Sequence, residues 1–468
     1  MTIEQIYTGC LAHGAYYIKS ENEAVIIDPL RETQPYIQRA EKDGVKIKYI
    51  FETHFHADFV SGHIDLAKKT DAVIVFGPGA QTAYHSVIAE DGEEFKVGKI
   101  KIKVLHTPGH TPESSCFLII DENGKQQALF SGDTLFIGDV GRPDLAISSN
   151  ITQEDLAGML YDSLRNKIMT LPDDVIVYPA HGAGSACGKN MSKETFDTLG
   201  HQKQVNYALQ NISKQAFIKE LTTGILPPPQ YFAKNAMLNK MGYDSIDDVM
   251  NKGSKALSPG EVEQLANSTD VMILDVRKPS EYAQSHIPNS IFIGIDGQFA
   301  PWVGALITDL KQVIVLVAPQ GREEEAVIRL ARVGYDNTIG YLKGGMEAWI
   351  AAGKETDQVK SITADEFVKD YEAKNIHVLD VRKPGEYEAQ HLTRVDHKAL
   401  DFINDWTPSL NKNEEYYIHC AGGYRSMIAA SILKARGVHN LIDVAGGFGA
   451  IQKTGIKTSE FACQSTKM

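Results

Sequence analysis

Thr53-His54-Phe55-His56-Ala57-Asp58-Phe59 decides the reading of this chain. It sets two imidazoles at i and i+2 and a carboxylate at i+4, a pattern that serves metal ligation rather than packing. Imidazole suits Fe, Zn, Ni and Cu, and carboxylate widens the set toward harder ions. Phe59, which closes the run where a further His would serve a second ion, has no lone pair to donate. The run therefore reads as one side of a one-metal site with open positions. That moves the expected chemistry from hydrolysis toward oxygen activation.

Further ligand candidates follow in order: His110 in His106-Thr107-Pro108-Gly109-His110-Thr111, Asp133 in Ser131-Gly132-Asp133-Thr134, and His181 in Tyr178-Pro179-Ala180-His181. Each sits in a short turn after an apolar run. Strands are expected over 24–29, 72–76, 100–106, 116–120, 128–131 and 175–178, with the candidates in the loops that follow such strands. Asp28 reads as a brace for the loop, and His63 and His106 as bystanders. Residues 152–165 and 194–219 are expected to be helical, and 251–258 a linker.

A repeat follows. Leu274-Asp275-Val276-Arg277-Lys278-Pro279-Ser280-Glu281-Tyr282 returns as Leu379-Asp380-Val381-Arg382-Lys383-Pro384-Gly385-Glu386-Tyr387, and Gly344-Gly345 returns as Gly446-Gly447. Offsets of 380 − 275 = 105 and 446 − 344 = 102 residues mark a duplicated domain. Each copy alternates strands and helices, which predicts two small α/β units with largely parallel sheets. The expected domains are 1–255, 256–356 and 357–468.

The copies differ in one loop. The second holds Cys420-Ala421-Gly422-Gly423-Tyr424-Arg425 after an apolar strand and before a helix. Gly422 and Gly423 let successive backbone N–H groups point inward as an anion nest. The helix N-terminus and Arg425 add positive potential. This favours the anionic form of Cys420 and a persulfide after sulfur transfer. Ala318 and Glu323 stand opposite Cys420 and Arg425 in the first copy, so residues 256–356 are expected to be catalytically inactive and to pack, orient or dimerise.

Of the 468 residues, 43% are hydrophobic and 23% charged, which is ordinary for a soluble globular chain. A net charge of −13 argues against a nucleic-acid surface and against an anionic membrane. No run reaches the length of a spanning helix, and no signal peptide is evident in residues 1–20. Five widely spaced cysteines (Cys10, Cys116, Cys187, Cys420, Cys463) suit a reducing cytoplasm better than a disulfide framework. A homo-oligomer is expected.

The runs T-H-x-H-x-D, H-T-P-G-H-T, S-G-D-T and Y-P-A-H resemble the metallo-β-lactamase superfamily. Phe59 and Gly141-Arg142-Pro143-Asp144 are most similar to its persulfide dioxygenase branch. The C-x(4)-R loop and the repeated L-D-V-R segments resemble rhodanese sulfurtransferases. The resemblance implies an α/β chain, an αββα sandwich followed by two rhodanese-like domains. It implies one Fe(II) held by His54, His110 and Asp133, with His56, Asp58 and His181 around it or serving a second metal. It implies oxidation of a thiol persulfide (of glutathione, coenzyme A or a similar carrier) by O2 to sulfite, and transfer of sulfane sulfur through Cys420 to sulfite as thiosulfate. Arg142 is a candidate anion clamp or a plain ion pair, Gly422, Gly423 and Tyr424 line the sulfur site, and Cys187 is either a sulfur-carrying thiol or a small buried residue. The competing reading is a binuclear zinc thioesterase of glyoxalase II type with sulfur-carrier domains; a scaffold built on dead catalytic folds is a third.

Overall fold

Short apolar runs punctuated by Gly, Pro and Asp become strands, and their pairing sorts them into four sheets. The computed structural model describes residues 1–147, 150–189, 191–225 and 227–461, so Cys463 lies outside the described residues. The chain divides into two compact units, Met1–Asp248 with Ile328–Tyr335, and Val249–Val327 with Asp336–Met468.

The first unit is an αββα sandwich. One sheet runs in chain order through β1 (Thr2–Thr8), β2 (His13–Ser20), β3 (Glu23–Ile27), β4 (Lys46–Glu52), β5 (Val73–Phe76) and β6 (Val87–Ile88). The other runs through β7 (Glu94–Val97), β8 (Ile100–His106), β9 (Ser115–Ile120), β10 (Gln126–Gly132), β11 (Ile176–Pro179) and β12 (Asp197–Thr198). Period-two alternation sends neighbouring residues to opposite faces. On β3, Val25 and Ile27 enter the core between the sheets, while Ala24 and Ile26 meet Tyr36 and Ala40 of the helix Gln34–Asp43. On β9, Phe117 and Ile119 face inward, while Cys116 and Leu118 join Ala157 and Leu160 of the helix Gln153–Ser163. Aromatic rings fill the centre, with Phe51 and Phe117 at 4.8 Å between centroids.

The helix expected over 152–165 forms as Gln153–Ser163, starts at a capping box between Thr152 and Asp155, and its last turns widen over Leu164–Ile168. The helix expected over 194–219 does not form as one element. It breaks into Leu199–Val205 and Lys214–Thr222, because Asn206 leaves the helix with ψ 120°. Asn206 Nδ2 donates to the carbonyls of Phe136 and Asp139, a better use of its amide than a helix interior offers. Nor is 251–258 an open linker. A helix extends to Gly253, and Ala256–Leu257 (β13) pairs as an edge strand.

The second unit holds two five-stranded sheets whose paired strands are all parallel. The first orders β13, β17 (Thr338–Leu342), β16 (Val313–Val317), β14 (Val271–Asp275) and β15 (Ile291–Phe292). The second orders β18 (Lys360–Ile362), β22 (Leu441–Val444), β21 (Tyr416–His419), β19 (His377–Asp380) and β20 (Asp396–His397). The repeated L-D-V-R motif has the same task in each. The Asp closes a central strand, and the Arg two residues on donates back to it, at 2.6 Å for Arg277–Asp275 and 2.5 Å for Arg382–Asp380.

Phe117→Ala removes a ring buried between the sandwich sheets. It is expected to cost about 3–5 kcal/mol, seen as an earlier urea midpoint in the circular dichroism of the full chain; an unchanged midpoint would refute this account of the core.

Candidate metal centre and cysteine loop

The metal loop is built from the end of β4. Thr53 donates twice to the buried carboxylate of Asp28, from its backbone N and from Oγ1, each at 2.8 Å. Its hydroxyl proton is thereby committed, so Thr53 Oγ1 can only accept from His54 Nδ1, 3.0 Å away. That fixes the tautomer of His54 and leaves Nε2 with its lone pair. Asp28 thus braces the loop, as the sequence suggested. His110 is set the same way: Nδ1 donates to the carbonyl of Arg142 at 2.8 Å, freeing Nε2.

His54, His110 and Asp133 bring one ligand atom each within 4.8 Å of one another, all buried. The His54 and His110 rings stand 4.8 Å apart and nearly perpendicular, and His110 Nε2 is 3.3 Å from Asp133 Oδ2. His110 Nε2 and both Asp133 carboxylate oxygens have no hydrogen-bond partner. Buried polar atoms left without partners are costly, and a metal ion would satisfy all three. Burial holds the imidazole of His110 down to about 4 and that of His54 well below its usual range, so both present neutral nitrogens.

His56, Asp58 and His181 form a second converging group, with His181 Nε2 3.5 Å from Asp58 and 3.6 Å from Asp133. Phe59 is fully buried, its ring 4.4 Å from that of His56 and 4.3 Å from that of His13. His56 Nε2 turns toward Asp28, at 3.1 Å. The sequence reading missed His13, whose Nε2 meets the carbonyl of Asp28 and whose backbone bridges to His181. It opens a strand instead of following one, and that placement hid it. His106 bonds only to Pro112 through its ring, and His63 meets Tyr84, so neither joins the ligand groups.

Close approach dictates one glycine here. A Cβ on Gly141 would lie 2.1 Å from the carbonyl oxygen of Asp133. Beside it, Arg142 gives Nε and Nη2 to Asp144 at 2.6 and 2.7 Å and Nη1 to the carbonyl of Ala186. Its backbone N donates to Cys187 O, tying that loop to the metal centre. Cys187 is buried and within ligand distance of Asp133 and His181; burial, then the carboxylates of Asp58 and Asp133, push its thiol well up.

In the second unit, Cys420 follows β21 and precedes the helix Tyr424–Ala435. Gly423, at φ 97°, points its N–H at Cys420 Sγ, 3.1 Å away. The Arg425 guanidinium is held by both oxygens of Glu386, at 2.5 and 2.7 Å, which offsets the charge expected of it. A cavity of about 310 Å³ opens beside them, lined by Lys383, Glu386, Tyr424 and Arg425 together with Gln298 and Trp302 of the first repeat. Tyr424 Oη donates to Gly294 O at 2.6 Å. In the first repeat the matching loop carries Ala318, and its Arg322 is taken by Asp296 and Glu325.

The profile of the Metallo-beta-lactamase superfamily matches residues 8–181. The chain is 32% identical over 216 residues to "Persulfide dioxygenase ETHE1, mitochondrial" of Homo sapiens, which covers 45% of this chain and 76% of that one. The chain belongs to the metallo-beta-lactamase superfamily. The chain is also 32% identical over 219 residues to hydroxyacylglutathione hydrolase of Dictyostelium discoideum, 46% of this chain and 76% of that protein. A solved superfamily structure, a metallo-beta-lactamase from Staphylococcus aureus subsp. aureus COL, superposes with a TM-score of 0.63 at 33% identity, covering 73% of this chain and 98% of that one. The Rhodanese-like domain profile matches 258–352 and 363–454, so this member is a fusion with two rhodanese-like domains. Among the described residues no helix is long and apolar enough to cross a membrane.

Thr53→Val keeps the shape of the side chain and removes the hydroxyl that fixes His54. Metal affinity, read by chelator competition, is expected to fall roughly 10–100-fold; unchanged affinity would remove Thr53 from the design of the site.

Proposed function

We propose that this protein oxidises a low-molecular-weight thiol persulfide with O2 to sulfite at a mononuclear Fe(II) centre. Cys420 then carries sulfane sulfur to sulfite, giving thiosulfate. One observation carries the reading: a buried two-His-one-carboxylate group, with a phenyl ring packed where a second ion's ligand would stand, lies in the same chain as a cysteine loop suited to a persulfide. His54, His110 and Asp133 would hold the iron. Bound there, iron supplies the one-electron chemistry that O2 activation requires and side chains lack.

The chain's own groups do the rest. Thr53 and the Arg142 carbonyl orient the two imidazoles, and buried Phe59 keeps the second position dry. His56, Asp58 and His181 line the space beside Asp133 as hydrogen-bonding partners. In the second unit the Cys420 thiolate attacks the outer sulfur of a persulfide. The S–S bond breaks, the carrier leaves as a thiolate, and Cys420 holds the persulfide with Gly423 N–H donating to it. The sulfur lone pair of sulfite then attacks that outer sulfur, thiosulfate departs, and the Cys420 thiolate returns. Lys383 and Arg425 beside the cavity favour anionic reactants, and the first repeat, without a nucleophile of its own, walls the site with Gln298 and Trp302.

The His56–Asp58–His181 group and the likeness to hydroxyacylglutathione hydrolases favour one alternative, a binuclear zinc thioesterase. Metal quantification with aerobic turnover of glutathione persulfide separates the two. About one iron per chain, O2 uptake and thiosulfate are expected. Asp133→Ala should abolish O2 uptake, while Cys420→Ser should leave uptake intact and yield sulfite alone. Two zinc ions per chain with thioester cleavage and no O2 uptake would overturn the reading.

A further inference from the structure

Cys420 Sγ lies 3.7 Å from Ser426 Oγ, within hydrogen-bond range for sulfur. Ser426 Oγ donates to Asp443 Oδ1 at 2.7 Å, and Ser361 Oγ donates to Asp443 Oδ2 at 3.1 Å. Sulfur, hydroxyl and carboxylate therefore form one line through the back of the loop. Asp443 stands in β22 between β18 and β21 and is 4% exposed. Burial pushes its carboxyl up to about 6, against the two hydroxyl donors. Together with Ser361, Gly422 and Gly423 it lines a cavity of about 680 Å³, a route for proton exchange with solvent.

The repeat separates packing from function. At the offset of 102 set by the Gly-Gly pairs, Cys420, Ser426 and Asp443 correspond to Ala318, Glu324 and Tyr341. The strand-end pair Asp380–Arg382 persists as Asp275–Arg277. The copy that lacks the thiol thus also lacks the serine and the aspartate behind it, with Glu324 and Tyr341 in their places, while it keeps the strand-end ion pair.

Serine has one hydroxyl proton. While Asp443 is ionised, that proton is committed to the carboxylate, and Ser426 can offer Cys420 only lone pairs, which suit a thiol. Once Asp443 holds a proton, it can donate to Ser426 Oγ, and the serine proton turns to the sulfur, which suits a thiolate or persulfide anion. We propose that Asp443 is a positioning residue for sulfur transfer, setting through Ser426 whether Cys420 meets a hydrogen-bond acceptor or a donor. In the step it supports, the Cys420 S–H bond breaks as its proton passes to Ser426 Oγ, and the Ser426 proton passes to Asp443 Oδ1. Sulfur keeps the electron pair, the carboxylate becomes a carboxylic acid, and nothing is oxidised or reduced.

The inference rests on Cys420 being the sulfur-accepting nucleophile. A wild-type protein that forms no persulfide at Cys420 when given glutathione persulfide, by peptide mass, would defeat that reading; alkylation of Cys420 by iodoacetamide at one neutral pH addresses the positioning role by itself. In Asp443→Asn the carboxamide N–H imitates the protonated acid, and Cys420 is expected to react on the order of tenfold faster, the scale of one hydrogen bond to a charged group. The gain should vanish in Asp443→Asn/Ser426→Ala, which should match Ser426→Ala alone. An unchanged or slower rate in an Asp443→Asn protein that melts like wild type overturns the proposal, as does a gain that survives without Ser426. A second readout needs no change at Asp443: the infrared difference between persulfidated and reduced wild type should show a protonated carboxyl that Ser426→Ala lacks, and its absence in wild type refutes the role.

Discussion

Thr53 gives both its backbone N–H and its hydroxyl to the buried carboxylate of Asp28, and the geometry of the candidate metal centre depends on that pair of bonds. Asp28 itself sits at φ 50°, a left-handed conformation that a non-glycine residue adopts at a cost. The sandwich core fixes β3 and β4 side by side, so the carboxylate at the end of one strand meets the threonine at the end of the next. Everything downstream inherits this arrangement: the tautomer of His54, the direction of its free nitrogen, and the distance to His110. The loop is held on a rigid base.

Residues that act where they stand in the sequence were readable from it. The candidate ligand motifs follow β4, β8 and β10, and the apolar runs marked β8 and β10 close to their observed ends, while β4, over Lys46–Glu52, was not among the expected strands. The parallel sheets of the repeats followed from their strand–helix alternation. Residues whose role depends on what crosses over from elsewhere were not readable. His13 acts through a bridge to His181. Asn206 leaves its helix because two carbonyls from residues 136 and 139 offer its amide a better bond. Arg425 reads as a free cation until Glu386, 39 positions away, is seen to hold it in two places. In each case a long-range partner outweighs the local preference.

The two repeats are a comparison within one chain. They share strand order, strand-end Asp–Arg pairs and Gly-Gly turns, so the fold does not require a thiol. The first repeat carries Ala318 where the second carries Cys420, while its Gly294 accepts from Tyr424 and its Trp302 lines the cavity beside Arg425. The repeat without a cysteine still shapes the surroundings of its neighbour's loop.

Asp133 belongs to two donor groups at once, facing His110 on one side and His181 on the other. One carboxylate shared in this way couples the two groups: a shift that brings Asp133 closer to His110 draws it away from His181, so neither group can be adjusted alone.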